Sequence, residues 1–333
     1  MTMTMNRQFL LDSRPTGEVA ADNFRLAEGP VPQAAEGEIV VRNHYLSLDP
    51  YMRGRLNEGR SYAKPQQIGA VMGGGSVGEV IESRNPKFKA GDFVVGPGGW
   101  QQFSASDGAG WTVVDAKLIP MQAYLGVVGM PGVTAWYGLN KIIAPKPGET
   151  VVVSAATGAV GGVVGQLAKN AGVRVVGIAG GPEKCAYATD ELGYDACVDH
   201  KSRTFAKDLA AALPNGLDGV FENVGGEPFL QSLELANDFA RFAICGLIAT
   251  YETGATAIPN VRVLLTKRLK IEGFIVSDHG SLWPQALKEL GGLVAGGKLR
   301  YRETVREGLE SAPQALVDLL HGGNFGKMLV KLV

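Results

Sequence analysis

Residues 151–165 read VVVSAATGAVGGVVG, and this stretch decides the fold. The segment Val151 to Ala155 is almost entirely apolar, which is typical of a strand buried on both faces of a parallel sheet. A glycine-bearing turn follows, and Val160 to Asn170 then has the character of a helix. A strand that passes through such a turn into a helix predicts a dinucleotide-binding unit, because backbone N–H groups at a helix N-terminus attract a pyrophosphate.

Three glycines of this stretch have separate predicted roles. Gly158 permits a tight turn, Gly161 lets backbone N–H groups approach the pyrophosphate, and Gly165 lets the helix pack closely on its strand. Ala156 stands where the strict G-x-G-x-x-G motif has its first glycine, so the motif alone also fits a plain strand-to-helix turn. The surrounding β-α-β pattern favours the dinucleotide site.

The rest of the segment 129–297 continues the alternation of strands and helices. This order predicts an α/β protein with a doubly wound parallel sheet, a Rossmann domain. The helix Pro182 to Leu192 follows the second strand. The predicted strands after the first are Val173 to Ala179, Ala196 to Asp199, Gly219 to Glu222, Phe242 to Gly246 and Ile271 to Ile275.

The first third of the chain reads instead as short strands separated by turns, which predicts a compact β-rich domain. A helix at Leu309 to Leu320 and a last strand at Lys327 to Leu332 follow the alternating segment. The predicted strands of the first third are Glu38 to Arg42, Gly75 to Ser83, Phe93 to Val95 and Trp111 to Val114.

The end of the second strand of the Rossmann domain predicts which dinucleotide binds. An NAD-binding protein usually carries Asp or Glu there, against the ribose hydroxyls. Residues 177–184 read GIAGGPEK, with no acid at the strand tip. Lys184 lies one helical turn further on, where its ammonium group can meet the 2′-phosphate of NADP. A solvated lysine is the alternative, but the missing acid and the placed cation together favour NADP.

The composition argues against several classes of partner. The 32 basic and 33 acidic residues leave a formal net charge of −1, which does not favour nucleic acid or an anionic membrane. The apolar runs are shorter than a membrane-spanning helix, and residues 1–6 lack the features of a signal peptide. We therefore expect a cytoplasmic protein that acts on a small molecule.

Neither the cysteines nor the histidines have the spacing of a metal site. The sequence therefore predicts no catalytic metal and no disulfide framework from Cys185, Cys197, Cys245, His44, His200, His279 and His321. Tyrosine hydroxyls are the candidate donors to negative charge that develops in a reaction. Tyr51, Tyr62 and Tyr251 lie near predicted strand ends or loops, although a lone loop tyrosine also serves for packing.

Six blocks spread over nearly the whole chain resemble the zinc-independent medium-chain reductases. These include prostaglandin reductases, plant alkenal double-bond reductases and, most closely, bacterial NADPH-dependent curcumin reductases. The blocks are YLSLDPYMRG (45–54), LGVVGMPGVTAW (125–136), AGGPEKC (179–185), ENVGG (222–226), CGLIATY (245–251) and NFGK (324–327).

The resemblance implies a two-domain oxidoreductase that uses NADPH. A GroES-like catalytic domain would be split into residues 1–128 and 298–333, around a Rossmann NADP-binding domain at 129–297. The implied reaction reduces the carbon–carbon double bond of an α,β-unsaturated ketone or aldehyde by hydride transfer to the β-carbon. NADPH-dependent quinone reduction and non-catalytic NADPH binding stay open, because a fold does not fix a function. Relatives commonly form homodimers through edge strands, for which Lys270 to Val276 is the candidate.

The resemblance also implies a set of site residues. Tyr251 is the first candidate for the donor to the enolate oxygen, followed by Tyr51 and Tyr62. The implied cofactor contacts are Pro50 and Tyr51 beside the nicotinamide; Thr157, Gly158, Ala159, Val160, Gly161 and Gly162 on the pyrophosphate; Gly180 and Lys184 on the 2′-phosphate; Asn223, Cys245 and Tyr251 at the nicotinamide ribose; Phe274, Ile275 and Val276 against the carboxamide; and Asn324 closing the pocket.

Two positions depart from the resembled family. Many relatives have Tyr-Lys where this chain has His200-Lys201, so a phosphate contact by His200 would depend on pH. The Tyr-Asn pair common in the family is Tyr251-Glu252 here. The segment Thr253 to Arg262 is also compact, and because this loop helps to shape the substrate pocket, the sequence leaves the substrate open.

Overall fold

A computed structural model describes residues 5–59, 61–251, 254 and 257–333. The chain divides into two compact units: unit 1 comprises Met1–Leu125 and Glu303–Val333, and unit 2 comprises Gly126–Arg302. These limits lie within a few residues of the predicted junctions at 128/129 and 297/298. The assignment of catalysis to one unit and nucleotide binding to the other stays a prediction.

The elements follow one another along the chain in three groups. In unit 1 they are β1 (Met5–Leu11), β2 (Phe24–Pro30), β3 (Ile39–Ser47), α1 (Tyr51–Arg55), β4 (Ser76–Ser83), β5 (Phe93–Gly96), β6 (Phe103–Ser106) and β7 (Thr112–Val113). In unit 2 they are α2 (Met130–Tyr137), β8 (Thr150–Ser154), α3 (Gly161–Asn170), β9 (Arg174–Ala179), α4 (Pro182–Asp190), β10 (Ala196–Asp199), α5 (Phe205–Ala212), β11 (Leu217–Glu222), α6 (Gly226–Leu235), β12 (Ala236–Ile244), α7 (Arg262–Thr266), β13 (Lys270–Gly273) and α8 (Trp283–Ala295). Unit 1 is completed by β14 (Glu303–Glu307), α9 (Ala312–Leu320) and β15 (Lys327–Lys331).

Shorter helical segments connect some of these elements. A π-helix at Gly138–Ile143 follows α2 directly. The 3-10 turns are Ala21–Asn23, Met121–Leu125, Ile248–Thr250, Val276–Leu282 and Leu309–Ser311.

The sheet of unit 2 has six parallel strands in the order β10-β9-β8-β11-β12-β13. Every residue of β8 is buried, as expected for a central strand with both faces covered. The strand order reverses between β8 and β11, and in sheets of this kind the ligand-binding crevice is expected at the carboxyl ends of these two strands. The predicted α/β class with a doubly wound sheet is confirmed.

Unit 1 is β-rich. Its larger sheet has the order β14-β15-β3-β4-β5-β7, with β6 also paired to β3, and β1 and β2 form a separate antiparallel pair. β15 lies between β14, to which it is parallel, and β3, to which it is antiparallel. The last strand of the chain is therefore an internal strand of this sheet.

The structure adds four strands to those that the sequence predicts, namely β1, β2, β6 and β14. β14 reads ETVRE and has no apolar alternation, and β6 reads FSAS, an alternation of only four residues in which alanine and phenylalanine are the apolar members. Such strands are ordered by pairing with a neighbour more than by their own side chains. The predicted helix Leu309 to Leu320 also divides, into a 3-10 turn and α9.

Candidate active site

Close backbone contacts shape the turn after β8. Ala155 has a φ of +49°, a left-handed conformation that is uncommon outside glycine. A Cβ at Gly161 would lie 2.3 Å from the carbonyl oxygen of Ala155, and a Cβ at Gly158 would lie 3.2 Å from it. Position 161 therefore accepts only glycine, because a side chain there would strike the backbone of the turn against which α3 begins.

A tyrosine explains the third glycine of this stretch. A Cβ at Gly165 would lie 2.2 Å from the ring of Tyr194. The Tyr194 hydroxyl donates a hydrogen bond to the carbonyl oxygen of Gly161 at 2.7 Å, and complete burial raises the pKa of this tyrosine well above its usual value. The sequence predicts that Gly165 serves packing of the helix on its strand, but the neighbour that requires glycine is a side chain that ties down the first turn of α3.

The turns after β9 and β10 lie against each other at the same edge of the sheet. A Cβ at Gly180 would lie 3.0 Å from Nε2 of His200 and 3.3 Å from Cε of Lys201, so both side chains lie over this glycine. Lys184 is in the first turn of α4, which begins at Pro182. The structure thus brings Gly180 and His200 together and adds Lys201, which the sequence reasoning did not select.

The basic side chains at this edge perturb one another. Partial burial, and then the charge of Lys201, lower the pKa of Lys184. Partial burial and the charge of Lys201 likewise lower the pKa of His200, and Lys184 adds to this effect against an opposing contribution from Asp199. An anion bound between these groups would relieve their repulsion, so the cluster has the electrostatics of an anion site.

The Asp199 carboxylate joins these two turns. Its Oδ1 atom accepts the backbone N–H of Gly181 at 2.8 Å and the backbone N–H of Lys201 at 2.9 Å. Gly181 has a φ of +95°, which favours glycine, and it is the N-cap residue of α4. Partial burial acts to raise the pKa of Asp199, but the two N–H donors and the charges of His200 and Lys201 outweigh it, and the pKa is lowered.

A second carboxylate organises the turn after β11. Glu222 is completely buried, and its Oε1 atom accepts hydrogen bonds from Oγ of Ser154 at 2.7 Å and from the backbone N–H groups of Val224 and Gly225 at 2.6 and 2.8 Å. Burial raises the pKa of Glu222 in spite of these donors. Burial, together with the charge of Glu222, also raises the pKa of the Cys245 thiol to about 12, so this thiol is neutral at pH 7.

Asn223 and Tyr251 meet at the carboxyl ends of β11 and β12. The backbone N–H of Asn223 donates to Oγ of Ser154 and its side-chain Nδ2 donates to the Ser154 carbonyl, both at 2.8 Å. A Cβ at Gly246 would lie 3.3 Å from the carbonyl oxygen of Asn223 and 3.5 Å from the Tyr251 hydroxyl. Tyr251 therefore directs its hydroxyl back over these strand ends, where the crevice opens.

The stretch Phe274 to Val276 follows the edge strand β13. The Phe274 side chain is buried, and its ring centroid lies 5.4 Å from that of Tyr137 and 6.2 Å from that of Phe221. The family resemblance implies contact of this stretch with the cofactor carboxamide. Because the Phe274 ring belongs to the core of unit 2, such a contact would use the backbone.

Two of the predicted tyrosines are neighbours in unit 1. Pro50 caps the short helix α1, Tyr51 begins it, and the Arg55 guanidinium lies 4.9 Å from the centroid of the Tyr51 ring. Burial, followed by the charge of Asp49, raises the pKa of Tyr51, and Tyr62 adds a smaller increase. The Tyr62 side chain is 61% exposed, so Tyr51 is the more enclosed of the two.

A buried ion pair fixes the residue that precedes Pro50. Nζ of Lys327 donates to Oδ1 of Asp49 at 2.9 Å and to the Leu48 carbonyl at 2.5 Å, and the Ser47 hydroxyl donates to Oδ2 of Asp49. The side chains of Lys327 and Asp49 are only 4% and 8% exposed. Asn324, in the loop before β15, donates from Nδ2 to the Gly326 carbonyl at 2.7 Å.

Some of the predicted features lie outside the described residues, and others were missed. Glu252 and part of the segment Thr253 to Arg262 are not among the residues that the structure describes. Sequence reasoning missed Lys201, Asp199 and Glu222. The last residue of a strand in an α/β sheet is a useful signal here, because Asp199 and Glu222 both end strands at the edge where ligands bind.

The donors of unit 2 suit a phosphorylated dinucleotide. A glycine that no other residue can replace begins the first turn of α3, and basic side chains converge over a second glycine at the neighbouring strand end. Within the described ranges, no group of three or more His, Cys, Asp or Glu side chains is placed to hold a metal ion. In the same part of the chain, no helix is both long enough and apolar enough to span a membrane.

Two protein families match separate parts of the chain. Residues 7–114 match the family described as "N-terminal domain of oxidoreductase". Residues 159–291 match the family described as "Zinc-binding dehydrogenase". The first match lies in unit 1 and the second in unit 2.

Individual relatives match nearly the whole chain. The NADPH-dependent curcumin reductase of Escherichia coli (strain K12) is 45% identical over 98% of this chain and 97% of that protein. The 2-alkenal reductase (NADP(+)-dependent) of Nicotiana tabacum is 40% identical over 98% of this chain and 97% of its own length. The crystal structure of CurA in complex with NADPH from Vibrio vulnificus superposes with a TM-score of 0.94 at 45% identity, covering 98% of this chain and 99% of that one.

Proposed function

This chain belongs to the zinc-independent medium-chain dehydrogenases/reductases, and on that premise we propose that it catalyses the NADPH-dependent reduction of carbon–carbon double bonds conjugated to a ketone or an aldehyde. The observation that carries the proposal is the convergence of His200 and Lys201 over Gly180, with Lys184 coupled to them electrostatically. The relatives named as NADPH-dependent curcumin reductase and 2-alkenal reductase support the same cofactor and reaction class.

The cofactor and the residues of the chain have separate roles in the proposed reaction. When bound, NADPH would supply the hydride that adds to the β-carbon of the enone, and a proton added to the α-carbon of the resulting enolate completes the reduction. Residues 157–162 bind the pyrophosphate through backbone N–H groups at the start of α3, and the basic cluster binds the 2′-phosphate. Tyr251 donates a hydrogen bond to the substrate carbonyl oxygen, where negative charge develops. A donor aimed at such charge contributes roughly 2.7 to 4 kcal/mol in comparable sites.

The cofactor part of the proposal is tested by comparing NADPH with NADH. We expect a higher kcat/KM with NADPH, and we expect Lys184→Ala to weaken NADPH selectively, because NADH has no 2′-phosphate. Lys207→Ala, which removes an exposed lysine from α5, is the control. Equal kcat/KM values for the two cofactors in the wild-type enzyme would refute this part.

The catalytic part of the proposal is tested at Tyr251. We expect Tyr251→Phe to lower kcat and kcat/KM with an enone together while NADPH affinity stays within about twofold, because the hydroxyl acts on charge that exists only as the reaction proceeds. Tyr251→Ala separates this role from packing. If the phenylalanine variant is as active as the wild type and only the alanine variant is impaired, the tyrosine acts by packing, and Tyr51 and Tyr62 become the candidates.

The substrate class requires a panel of enones, enals and quinones, with oxidation of NADPH followed by absorbance. We expect turnover with the enones and enals. Turnover of quinones alone would replace the proposed reaction, and tight NADPH binding without turnover of any compound would favour a binding protein.

We also propose a cytoplasmic, metal-independent homodimer. β13 is an edge strand of the sheet in unit 2 and offers a backbone that a second copy can pair with. We expect Ile271→Pro to shift the mass measured by light scattering from dimer to monomer. Elemental analysis of the active enzyme should find no stoichiometric zinc, and loss of activity on chelation that zinc restores would contradict this expectation.

A further inference from the structure

Asp199 is a carboxylate beside a site proposed for a phosphate. Its charge acts to raise the pKa of His200, and it is the last residue of β10, directly before the turn that carries Lys201. A negative side chain next to a dianion weakens the binding of that dianion. If Asp199 helps this site to bind a phosphate, it must therefore do so by some means other than its charge.

The hydrogen bonds of Asp199 identify such a contribution. A single atom, Oδ1, accepts the N–H of Gly181 at 2.8 Å and the N–H of Lys201 at 2.9 Å. Gly181 precedes α4, so the first bond fixes the start of the helix that carries Lys184. The second bond fixes the backbone of the other lysine. One oxygen atom thus sets the separation of two cations that belong to different turns.

The two cations need this restraint because they repel each other. The charge of Lys201 contributes to the lowered pKa of Lys184, so the pair is held together against an unfavourable interaction. Without the bridge, the backbone bond from the His200 N–H to the Ala179 carbonyl at 3.0 Å still joins the ends of β9 and β10, but Gly181 and Lys201 lose the acceptor that fixes the spacing of the two lysine-bearing segments. A phosphate group binds well to the two lysines only if their spacing is already correct before the phosphate arrives.

We propose that Asp199 is a positioning residue that gives the enzyme its preference for NADPH over NADH, by holding the backbones of Gly181 and Lys201 rather than by its charge. The inference rests on the proposed 2′-phosphate site. It distinguishes the oxygen atom of Asp199, which is needed, from the negative charge, which is not. An amide at this position keeps the oxygen and removes the charge.

The test compares Asp199→Ala with Asp199→Asn. Dissociation constants are measured by calorimetry for adenosine 2′,5′-bisphosphate and adenosine 5′-monophosphate, and kcat/KM is measured with NADPH and NADH. For Asp199→Ala we expect the affinity for the bisphosphate, and the NADPH:NADH ratio of kcat/KM, to fall on the order of tenfold, with the monophosphate and NADH changed less than about twofold. For Asp199→Asn we expect the ratio to be retained or increased.

Asp195→Ala is the matched control. Asp195 precedes the other end of β10, and its Oδ2 also accepts a backbone N–H, that of Val175 at 2.7 Å, while Lys169 pairs with the same carboxylate. This variant loses a comparable bridge away from the basic cluster. We expect it to lower the thermal midpoint without changing the NADPH:NADH ratio.

The outcomes separate this inference from the function on which it rests. If Lys184→Ala and Lys201→Ala both leave the NADPH:NADH ratio unchanged, the 2′-phosphate site itself is wrong. If those variants lower the ratio but Asp199→Ala does not, the positioning role alone is overturned. The same holds if Asp199→Asn loses as much selectivity as Asp199→Ala, because the charge would then be the cause, or if Asp195→Ala lowers the ratio as much.

Discussion

Glu222 and Asp199 end two strands of one sheet, and each carboxylate accepts two backbone N–H groups. Both donors to Glu222 lie in the turn that follows its strand, whereas Asp199 accepts one from its own turn and one from the turn after β9. Their pKa values nevertheless move in opposite directions, upward for Glu222 and downward for Asp199. Glu222 is completely buried, and within the described part of the chain its Oε2 atom has no hydrogen-bond partner. Asp199 is only partly buried and lies beside His200 and Lys201.

The difference teaches that the same bonding pattern can accompany opposite shifts in the pKa of the accepting carboxylate. At Glu222 the loss of solvation outweighs three hydrogen-bond donors, which favours the protonated acid. At Asp199 two donors and neighbouring positive charge outweigh a smaller loss of solvation. The turn after β11 is therefore held by Glu222 in the core, and the turn after β10 by Asp199 nearer to the surface.

The largest effect is expected at a third carboxylate, Asp49, which is buried like Glu222 but has a cation as its partner. Lys327→Met leaves the Asp49 charge uncompensated, and we expect the free energy of unfolding to fall by about 3 to 5 kcal/mol in urea titrations. Lys331→Met, on the same strand, breaks only the exposed pair with Glu307 and should cost about 1 kcal/mol or less. Similar losses in the two variants would mean that Asp49 does not depend on its cation.

The next effect in size concerns the donors that Glu222 satisfies. Glu222→Ala leaves the Ser154 hydroxyl and two backbone N–H groups without their acceptor, and we expect a loss of about 3 kcal/mol in the free energy of unfolding. Glu227→Ala, at an exposed position in the first turn of α6, is the control and should lie within about 0.5 kcal/mol of the wild type. A neutral effect of Glu222→Ala would show that the turn finds other acceptors.

A smaller, pH-dependent effect tests the direction of the Glu222 pKa. Because this pKa is raised in the folded protein, the native state holds a proton that the unfolded state releases above its pKa of 4.5, and this group destabilises the protein as pH rises from there. Glu222→Gln removes the titration. We expect the stability of this variant relative to the wild type to increase between pH 5 and pH 7, with a tenfold difference in proton affinity corresponding to about 1.4 kcal/mol. A relative stability that does not vary with pH would contradict the raised pKa.

The smallest effect has the opposite sign and belongs to Asp199. Its lowered pKa means that the carboxylate contributes stability above the unfolded-state pKa of 3.8 and loses that contribution as pH falls through the folded-state value. Asp199→Asn lacks this dependence. In thermal melts from pH 5 to pH 3, the wild type should therefore lose stability relative to the variant, and a constant difference would place the carboxylate outside the influence of its donors.

The sequence predicts the parts of the fold that carry strong periodic patterns. The buried strand and glycine turn at 151–165 lead to the central strand β8 and to the doubly wound order around it. The charged edge strand β14 is not predictable from its own residues, because its order comes from pairing with β15. The same reason hides β1 and β2, which pair with each other from Met5 to Pro30.

Candidate site residues can be selected from the sequence where the residue type and its position indicate a chemical role. Lys184 and Gly180 follow from the missing acid at a strand tip, and Tyr251 follows from the strand-end block before it. Glu222 acts on the backbone of the turn that follows its own strand, and Asp199 acts on its own turn and on the turn after β9. Neither residue type indicates such a structural role by itself, so the signal in the sequence is only their position at the end of a strand. The contact between Gly165 and Tyr194 cannot be predicted from the sequence either, because Tyr194 lies beyond the next strand and helix.

The position of β15 inside the sheet of unit 1 has a consequence for how the chain is made. Lys327, the first residue of this strand, reaches Asp49 across a sequence separation of 278 residues, and all of unit 2 is encoded between them. On the ribosome, unit 2 can therefore fold while β3 still lacks β15 as its neighbour. The entropy of closing so long a loop grows only slowly with its length, so the delay is set by translation more than by the search for the partner. The ion pair that fixes Asp49, two residues before Tyr51, is consequently among the last contacts of the nascent protein to form.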